Sequence, residues 1–135
     1  MPHIRIREAA QYLAVSDDTV RRWIDEGTLS SRRSPGGVLE VDGVDLARLA
    51  QQRAVTPEDP AGNSSSARNR FVGLVTKVTA DTVMAQVELQ CGPHRVVSLM
   101  SAEAARDLGI EPGAVAVAVV KATTVIIETP PGRQP

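Results

Sequence analysis

Residues 6–33 read IREAAQYLAVSDDTVRRWIDEGTLSSRR, and the spacing of their apolar side chains decides the fold of the first half of the chain. Ala9, Ala10 and Leu13 share one face of a short helix, Ala14 and Val15 make a tight connection, and Ser16 stands where an N-cap belongs. Behind it, Asp17 and Asp18 favour the positive end of a second helix, whose buried face is Val20, Trp23 and Ile24. Gly27 is placed to stop that helix. Working outward, residues 31–41 (SRRSPGGVLEV) put Pro35, Gly36 and Gly37 at the tip of a hairpin between two short strands. Asp42 then caps a helix whose Val44, Leu46, Leu49 and Ala50 face inward. The predicted order is helix, turn, helix, wing, helix.

The pattern changes at residues 54–65, AVTPEDPAGNSS, which hold two prolines, a glycine, two acids and no large apolar residue beyond Val55. Such a stretch reads as a linker. Beyond it the hydrophobic period shortens from that of helices to that of strands. The predicted division is residues 1–53, linker 54–65, a second domain over 66–129 and a frayed tail over 130–135. In the second domain, residues 66–78 (SARNRFVGLVTKV) open a first strand, and Val83, Ala85, Val87 and Leu89 alternate with polar or outward-facing neighbours in a second. A third strand covers residues 95–100. Ser101 caps a short helix carrying Ala104, Ala105 and Leu108, Gly109 closes it, and Glu111-Pro112-Gly113 turns into strands at 114–120 and 125–128. Five strands and one helix suffice to close a small OB-like barrel, which removes exposed sheet edges. The fold class is therefore α+β, a winged helix-turn-helix followed by an OB-like β-barrel.

Composition narrows the function. The chain has 135 residues, 15 Lys plus Arg against 16 Asp plus Glu, and 42% hydrophobic residues. Two small domains of this size each bury only about 60% of their unfolded surface, so oligomerisation is a natural supplement. The longest apolar run, residues 114–120, falls far short of the roughly 20 residues of a membrane span. The first residues lack the apolar core and cleavage site of a signal peptide, and a cytoplasmic location is expected. One cysteine and two isolated histidines exclude an internal disulfide and zinc-site spacing. Cys91-Gly92-Pro93-His94 reads as a hairpin turn. No catalysis is expected: no nucleophile adjoins a base, and paired carboxylates, a phosphate loop and a metal cluster are all missing from the sequence pattern.

A helix-turn-helix inserts its second helix into the DNA major groove. Ser16, Thr19, Arg21 and Arg22 are the candidate groove and phosphate contacts there, while Arg32 and Arg33 sit on the wing within reach of an adjacent phosphate or minor groove. Residues 1–53 contain eight arginines and eight acids, so any affinity for nucleic acid comes from their arrangement. Asp17 and Asp18 oppose it by repelling phosphate. The motifs EAAQYLAVS and TVRRWIDEG-L resemble the winged helix-turn-helix of excisionases and MerR-type regulators, with Trp23 in the core position. That resemblance implies double-stranded DNA as partner.

In the second domain, Ser66-Ala67-Arg68-Asn69 precedes the first strand and Lys121-Ala122-Thr123 follows a late one, each combining a cation with a hydroxyl. Ser101, as a helix N-cap, adds a hydroxyl beside free backbone N–H groups. A tetrahedral oxyanion that is fully deprotonated at neutral pH calls for donors alone, which disfavours protonated phosphate. The segments SARNRFVGLVTKV, VVSLMSAEAARDLGIEPGA and VAVVKATTVII resemble the Mop, or TOBE-type, molybdate-binding domain. The resemblance implies that Ser66, Arg68, Ser101, Lys121, Ala122 and Thr123 surround molybdate or tungstate. It further implies that the site forms between subunits, so that one copy per chain requires a homo-oligomer, a dimer or a hexamer. The expected function is a molybdate- or tungstate-responsive, DNA-binding transcriptional regulator. The alternative is a molybdate storage or delivery protein whose first domain binds another protein.

Overall fold

The structure is a computed structural model that describes residues 2–62 and 65–131. Ser64 of the polar run and residues 132–135 of the expected tail lie outside the described residues. The chain divides into two units, Met1–Val55 and Thr56–Pro135.

In the first unit, β1 (His3–Arg5) leads into α1 (Ile6–Leu13) and α2 (Asp17–Asp25). The wing strands β2 (Ser31–Arg33) and β3 (Leu39–Asp42) follow, and α3 (Gly43–Arg53) closes the unit. Local chemistry sets the boundaries. The Ser16 Oγ accepts the Thr19 N–H at 3.2 Å, and the Asp42 carboxylate accepts the Val44 N–H at 2.8 Å, so both expected caps form. After α2 the chain turns through Gly27 at φ 82°, a conformation costly for any residue with a Cβ. Ile6, Ala9, Val20, Trp23, Leu29, Val41, Leu46 and Leu49 form one core. A fully buried side chain of this kind contributes about 1.5–3 kcal/mol.

Two features differ from expectation. β1 adds a third strand by pairing with β3, His3 opposite Asp42 and Arg5 opposite Glu40. Val44 does not face inward: it is 45% exposed, because the core-facing stripe of α3 runs through Leu46 and Leu49 one turn on.

The second unit is an antiparallel sheet in the order β6-β5-β4-β7. Its strands are β4 (Asn69–Ala80), β5 (Met84–Cys91), β6 (His94–Ser101) and β7 (Val115–Val120), with α4 (Ala102–Asp107) after β6. Ala85, Val87 and Leu89 alternate inward on β5, as their spacing predicts, whereas Val83 precedes the strand and is 67% exposed. Ser101 caps α4 by accepting the Ala104 N–H at 3.0 Å, and Ala105 is buried, but Leu108 points outward. Cys91 and His94 pair across a two-residue turn. A Cβ on Gly73 would lie 2.5 Å from the Gln90 carbonyl oxygen and 2.6 Å from the Cys91 Sγ, so β4 and β5 approach this closely only around a glycine.

The expected fifth strand does not form. Residues 125–128 follow a 3-10 turn at Ala122–Thr124 and have no strand partner among the described residues. Val125, Ile126 and Ile127 are 42%, 85% and 80% exposed. The sheet is consequently a curled half-barrel with its edges at β6 and β7 open. Its concave side holds a cavity of about 470 Å³, lined by apolar residues including Val87, Leu89, Val96, Met100, Ala116 and Ala118. A strand-like sequence becomes a strand only when a neighbour supplies its backbone partners, and the chain leaves β7 through a turn that carries residues 125–128 off the sheet.

Candidate functional sites

Antiparallel pairing of β4 with β7 builds the first site. Asn69 lies opposite Val120, and its side-chain amide also donates to the Val120 carbonyl at 3.1 Å. Whatever precedes residue 69 therefore emerges beside whatever follows residue 120. Ser66 and Arg68 precede that pair and Lys121, Ala122 and Thr123 follow it, so both segments leave the sheet from its β4–β7 end, and all five residues are exposed. The turn holding the second group is fixed by the Lys121 carbonyl, which accepts both the Thr124 N–H at 2.9 Å and the Thr124 Oγ1 at 2.8 Å. Among the described ion pairs none involves Arg68 or Lys121, so both cations face solvent uncompensated. The cluster offers two hydroxyls and two positive charges and no carboxylate. Two cations and two hydroxyls able to donate, with no carboxylate among them, suit an oxyanion.

Ser101 is elsewhere. It pairs with Met84 at the far end of β5, while Ala85 pairs with Ala80 at the far end of β4. The length of β4 thus separates Ser101 from Arg68, on the order of 36 Å if straight, at about 3.3 Å per residue. Its hydroxyl accepts from Ala104 and retains its own proton to donate. The segments that carry Ser66 and Arg68 and Lys121, Ala122 and Thr123 leave one end of the sheet, and Ser101 lies at the other end.

The approach to this site is anchored from the preceding segment. The Asp59 carboxylate accepts from Arg70 at 2.7 Å and from the Ala61 N–H at 2.9 Å, while Arg70 also donates to the Gly62 carbonyl at 2.7 Å. The Arg70 hydrogen bond, with help from the Ala61 N–H, holds the Asp59 carboxyl below its ordinary value. Part of the stretch that reads as linker is accordingly fastened to β4.

In the first unit Ser16 and Thr19 are tied to each other, Oγ to Oγ1, at 3.0 Å at the start of α2. Arg22 pairs with Glu26 at 3.8 Å and Arg32 with Glu40 at 3.4 Å. Both pairs are exposed on the arginine side, and such pairs are worth only about 0.2–1 kcal/mol. Arg21 is exposed, and Arg33 donates to the Gly37 carbonyl at 3.0 Å. Arg21 and Arg33 share a cleft of about 410 Å³ with Arg5, Arg7 and Asp17. Sequence reasoning missed Arg5 and Arg7. Arg5 ends β1 and Arg7 lies in the first turn of α1, so no single period links them, and their approach to the wing depends on the pairing of β1 with β3.

Comparison with known proteins agrees with this two-part architecture. A TOBE domain model matches residues 65–127, and a helix-turn-helix domain model matches residues 4–54. Molybdenum-pterin-binding protein 2 of Clostridium pasteurianum is 38% identical over 65 residues, covering 47% of this chain and 96% of the relative. The chain belongs to the TOBE-domain family of the molybdenum-pterin-binding proteins. Molybdenum-pterin-binding protein 3 of the same organism is 40% identical over the same shares of both chains. Among solved structures, the cytoplasmic molybdate-binding protein ModG with molybdate bound is 38% identical, covers 53% of this chain and 52% of its own, and has a TM-score of 0.49. The TOBE-domain unit is therefore joined here to a helix-turn-helix unit that those two relatives of 65 matched residues do not span. Neither matched family is an enzymatic one. No helix among the described residues is long and apolar enough to cross a membrane.

Proposed function

We propose that the protein is a transcriptional regulator that binds molybdate or tungstate through its TOBE-domain unit and double-stranded DNA through its helix-turn-helix unit. The observation that supports the reading is the β4–β7 register, Asn69 opposite Val120, from which the segments carrying Ser66 and Arg68 and Lys121, Ala122 and Thr123 leave the same end of the sheet, with no described ion pair on either cation. Molybdate at neutral pH carries no proton and can accept from every donor of these residues, whereas protonated phosphate gains most from a carboxylate acceptor, which the five residues lack. The names of the molybdenum-pterin-binding relatives point to a ligand that contains molybdenum.

The separated position of Ser101 and the open half-barrel support a homo-oligomer. In a dimer or hexamer, Ser101 of one copy completes the cluster of another. The unpartnered apolar residues 125–127 and the concave cavity are the surfaces such an assembly would cover. On the DNA side, the capped α2 presents Ser16, Thr19, Arg21 and Arg22, and the wing presents Arg32 and Arg33. The exposed pairs that hold Arg22 and Arg32 are weak enough to yield to a phosphate.

Calorimetric titration of the full chain with molybdate, tungstate, sulfate and phosphate tests the ligand. Tight binding of the first two and weak binding of the others is the expected result; equal affinity for all four refutes it. Tight molybdate binding by a chain that binds no duplex at any salt concentration would favour storage or delivery.

A further inference from the structure

The eight arginines of the first unit divide into two sets of four. Arg22, Arg32 and Arg48 pair with Glu26, Glu40 and Asp45, and the Arg53 guanidinium stacks 4.9 Å from the Trp23 ring centroid. The other four, Arg5, Arg7, Arg21 and Arg33, have no acidic or aromatic partner among the described contacts, and these same four line the cleft of about 410 Å³. Asp17 is the one acid on its wall. Although the unit's eight arginines and eight acids balance overall, the four guanidinium groups around this one carboxylate repel one another unless an anion enters.

The cleft's position identifies that anion. One wall is the first turn of α2, another is the wing at Gly37, Val38 and Leu39, and the third is the β1–α1 junction at Arg5, Ile6 and Arg7. When a recognition helix occupies the major groove and a wing reaches the adjacent minor groove, a sugar-phosphate strand must pass between them, because that strand is what separates the two grooves. We propose that this cleft seats the phosphodiester backbone of duplex DNA, with Arg5 and Arg7 as backbone contacts alongside Arg21 and Arg33. The proposal rests on reading the first unit as a DNA-binding domain. It adds the N-terminal segment to the interface and assigns it a sequence-independent role.

Phosphate contacts ignore sequence, so the test needs no operator. Binding of the full chain to a labelled duplex of arbitrary sequence is followed by fluorescence anisotropy across a salt series. Arg5→Gln and Arg7→Gln are each expected to weaken binding and reduce the slope of log K against log salt by about 0.9 if each neutralises one phosphate. Asp17→Asn is expected to tighten binding about three- to ten-fold by removing the one repulsive charge, a gain that misfolding cannot mimic. Inorganic phosphate at matched ionic strength is expected to compete no better than chloride; specific displacement by it would make the cleft a free-anion site and overturn the proposal. If Arg22→Ala weakens binding while Arg5→Gln, Arg7→Gln and Asp17→Asn leave affinity and slope unchanged, the DNA-binding reading stands and this inference falls. If the unaltered chain binds no duplex at low salt, both fall.

Discussion

Replacing Trp23 by alanine separates the two units energetically. Trp23 is 6% exposed and lies in the core with Ile6, Ala9, Val20 and Leu49. A buried Trp→Ala change costs about 3–5 kcal/mol through lost transfer energy and the cavity left behind. Loss of the Arg53 guanidinium over the ring adds about 0.5–1 kcal/mol. A domain of 55 residues has a total stability of about 3–8 kcal/mol at 0.05–0.15 kcal/mol per residue. The substitution therefore removes most or all of the first unit's stability. The second unit is stabilised by a different core, around Val75, Val87, Leu89 and Cys91, and is expected to remain folded. Trp23 is the sole tryptophan, so its fluorescence cannot report on the variant. Amide hydrogen exchange read by mass spectrometry resolves both units at once. Peptides covering Val20 and Val41 should lose protection, while β4, β5 and β7 keep theirs and molybdate titration is unchanged. Retained protection around Val20 would show the core estimate to be wrong, and lost protection in β4 or β5 would refute the independence of the two cores.

Other substitutions probe the second unit and its site. Arg68→Ala and Lys121→Ala should each weaken molybdate binding by about 1.5–3 kcal/mol, the worth of a charge-assisted hydrogen bond; Lys77→Ala, exposed on β4 away from the cluster, is the calorimetric control. Gly73→Ala should lower the denaturation midpoint of the second unit by an amount equivalent to about 1–3 kcal/mol, because its Cβ meets the Gln90 backbone and the Cys91 Sγ. The Asp59 carboxyl is held below its ordinary value of 3.8, chiefly by Arg70. The folded form thus binds a proton less readily than the unfolded one. Its contribution to stability is present above that ordinary value and is lost as pH falls through the lower folded-state value. Denaturation of Asp59→Asn should accordingly show a shallower loss of stability on acidification below about pH 4 than the unaltered chain. Identical acid profiles would place the sensitivity at other carboxylates.

The elements set by local chemistry were legible in the sequence. Ser16, Asp42 and Ser101 each accept a backbone N–H at a helix start, and the Pro35-Gly36-Gly37 run lies between two paired strands. Elements that depend on distant partners were not. β1 is three residues long, too short for a period to register, and exists because β3 lies beside it. Residues 125–128 have the composition of a strand and no strand partner among the described residues. Val44 and Leu108 fit an inward stripe by spacing alone, yet Val44 lies off the Leu46–Leu49 stripe of α3 and Leu108 is the C-cap of α4, and both are exposed. The donor motifs around Arg68 and Lys121 were visible as separate pieces, and the Asn69–Val120 pairing that joins them is a property of topology. The arginine cleft escaped notice for the same reason, since Arg5 and Arg33 are far apart in sequence and meet through the wing.

In the regulator proposed above, oxyanion occupancy alters DNA binding. With Asp59 and Gly62 fastened to Arg70, the free tether shrinks to residues 54–58, a coil of about 12 Å. A tether of this kind transmits little torque, so the signal should pass through assembly: molybdate bound between TOBE-domain units fixes how many helix-turn-helix units engage one duplex, and affinity changes by avidity. The direct measurement is duplex binding by anisotropy with and without saturating molybdate, with light scattering on the same samples, for the unaltered chain and for a chain with a few Gly-Ser residues inserted after Val55. The account predicts that molybdate changes DNA affinity together with assembly mass or packing, and that the longer tether alters this effect only modestly. DNA affinity indifferent to molybdate in the unaltered chain, despite tight molybdate binding, would contradict it.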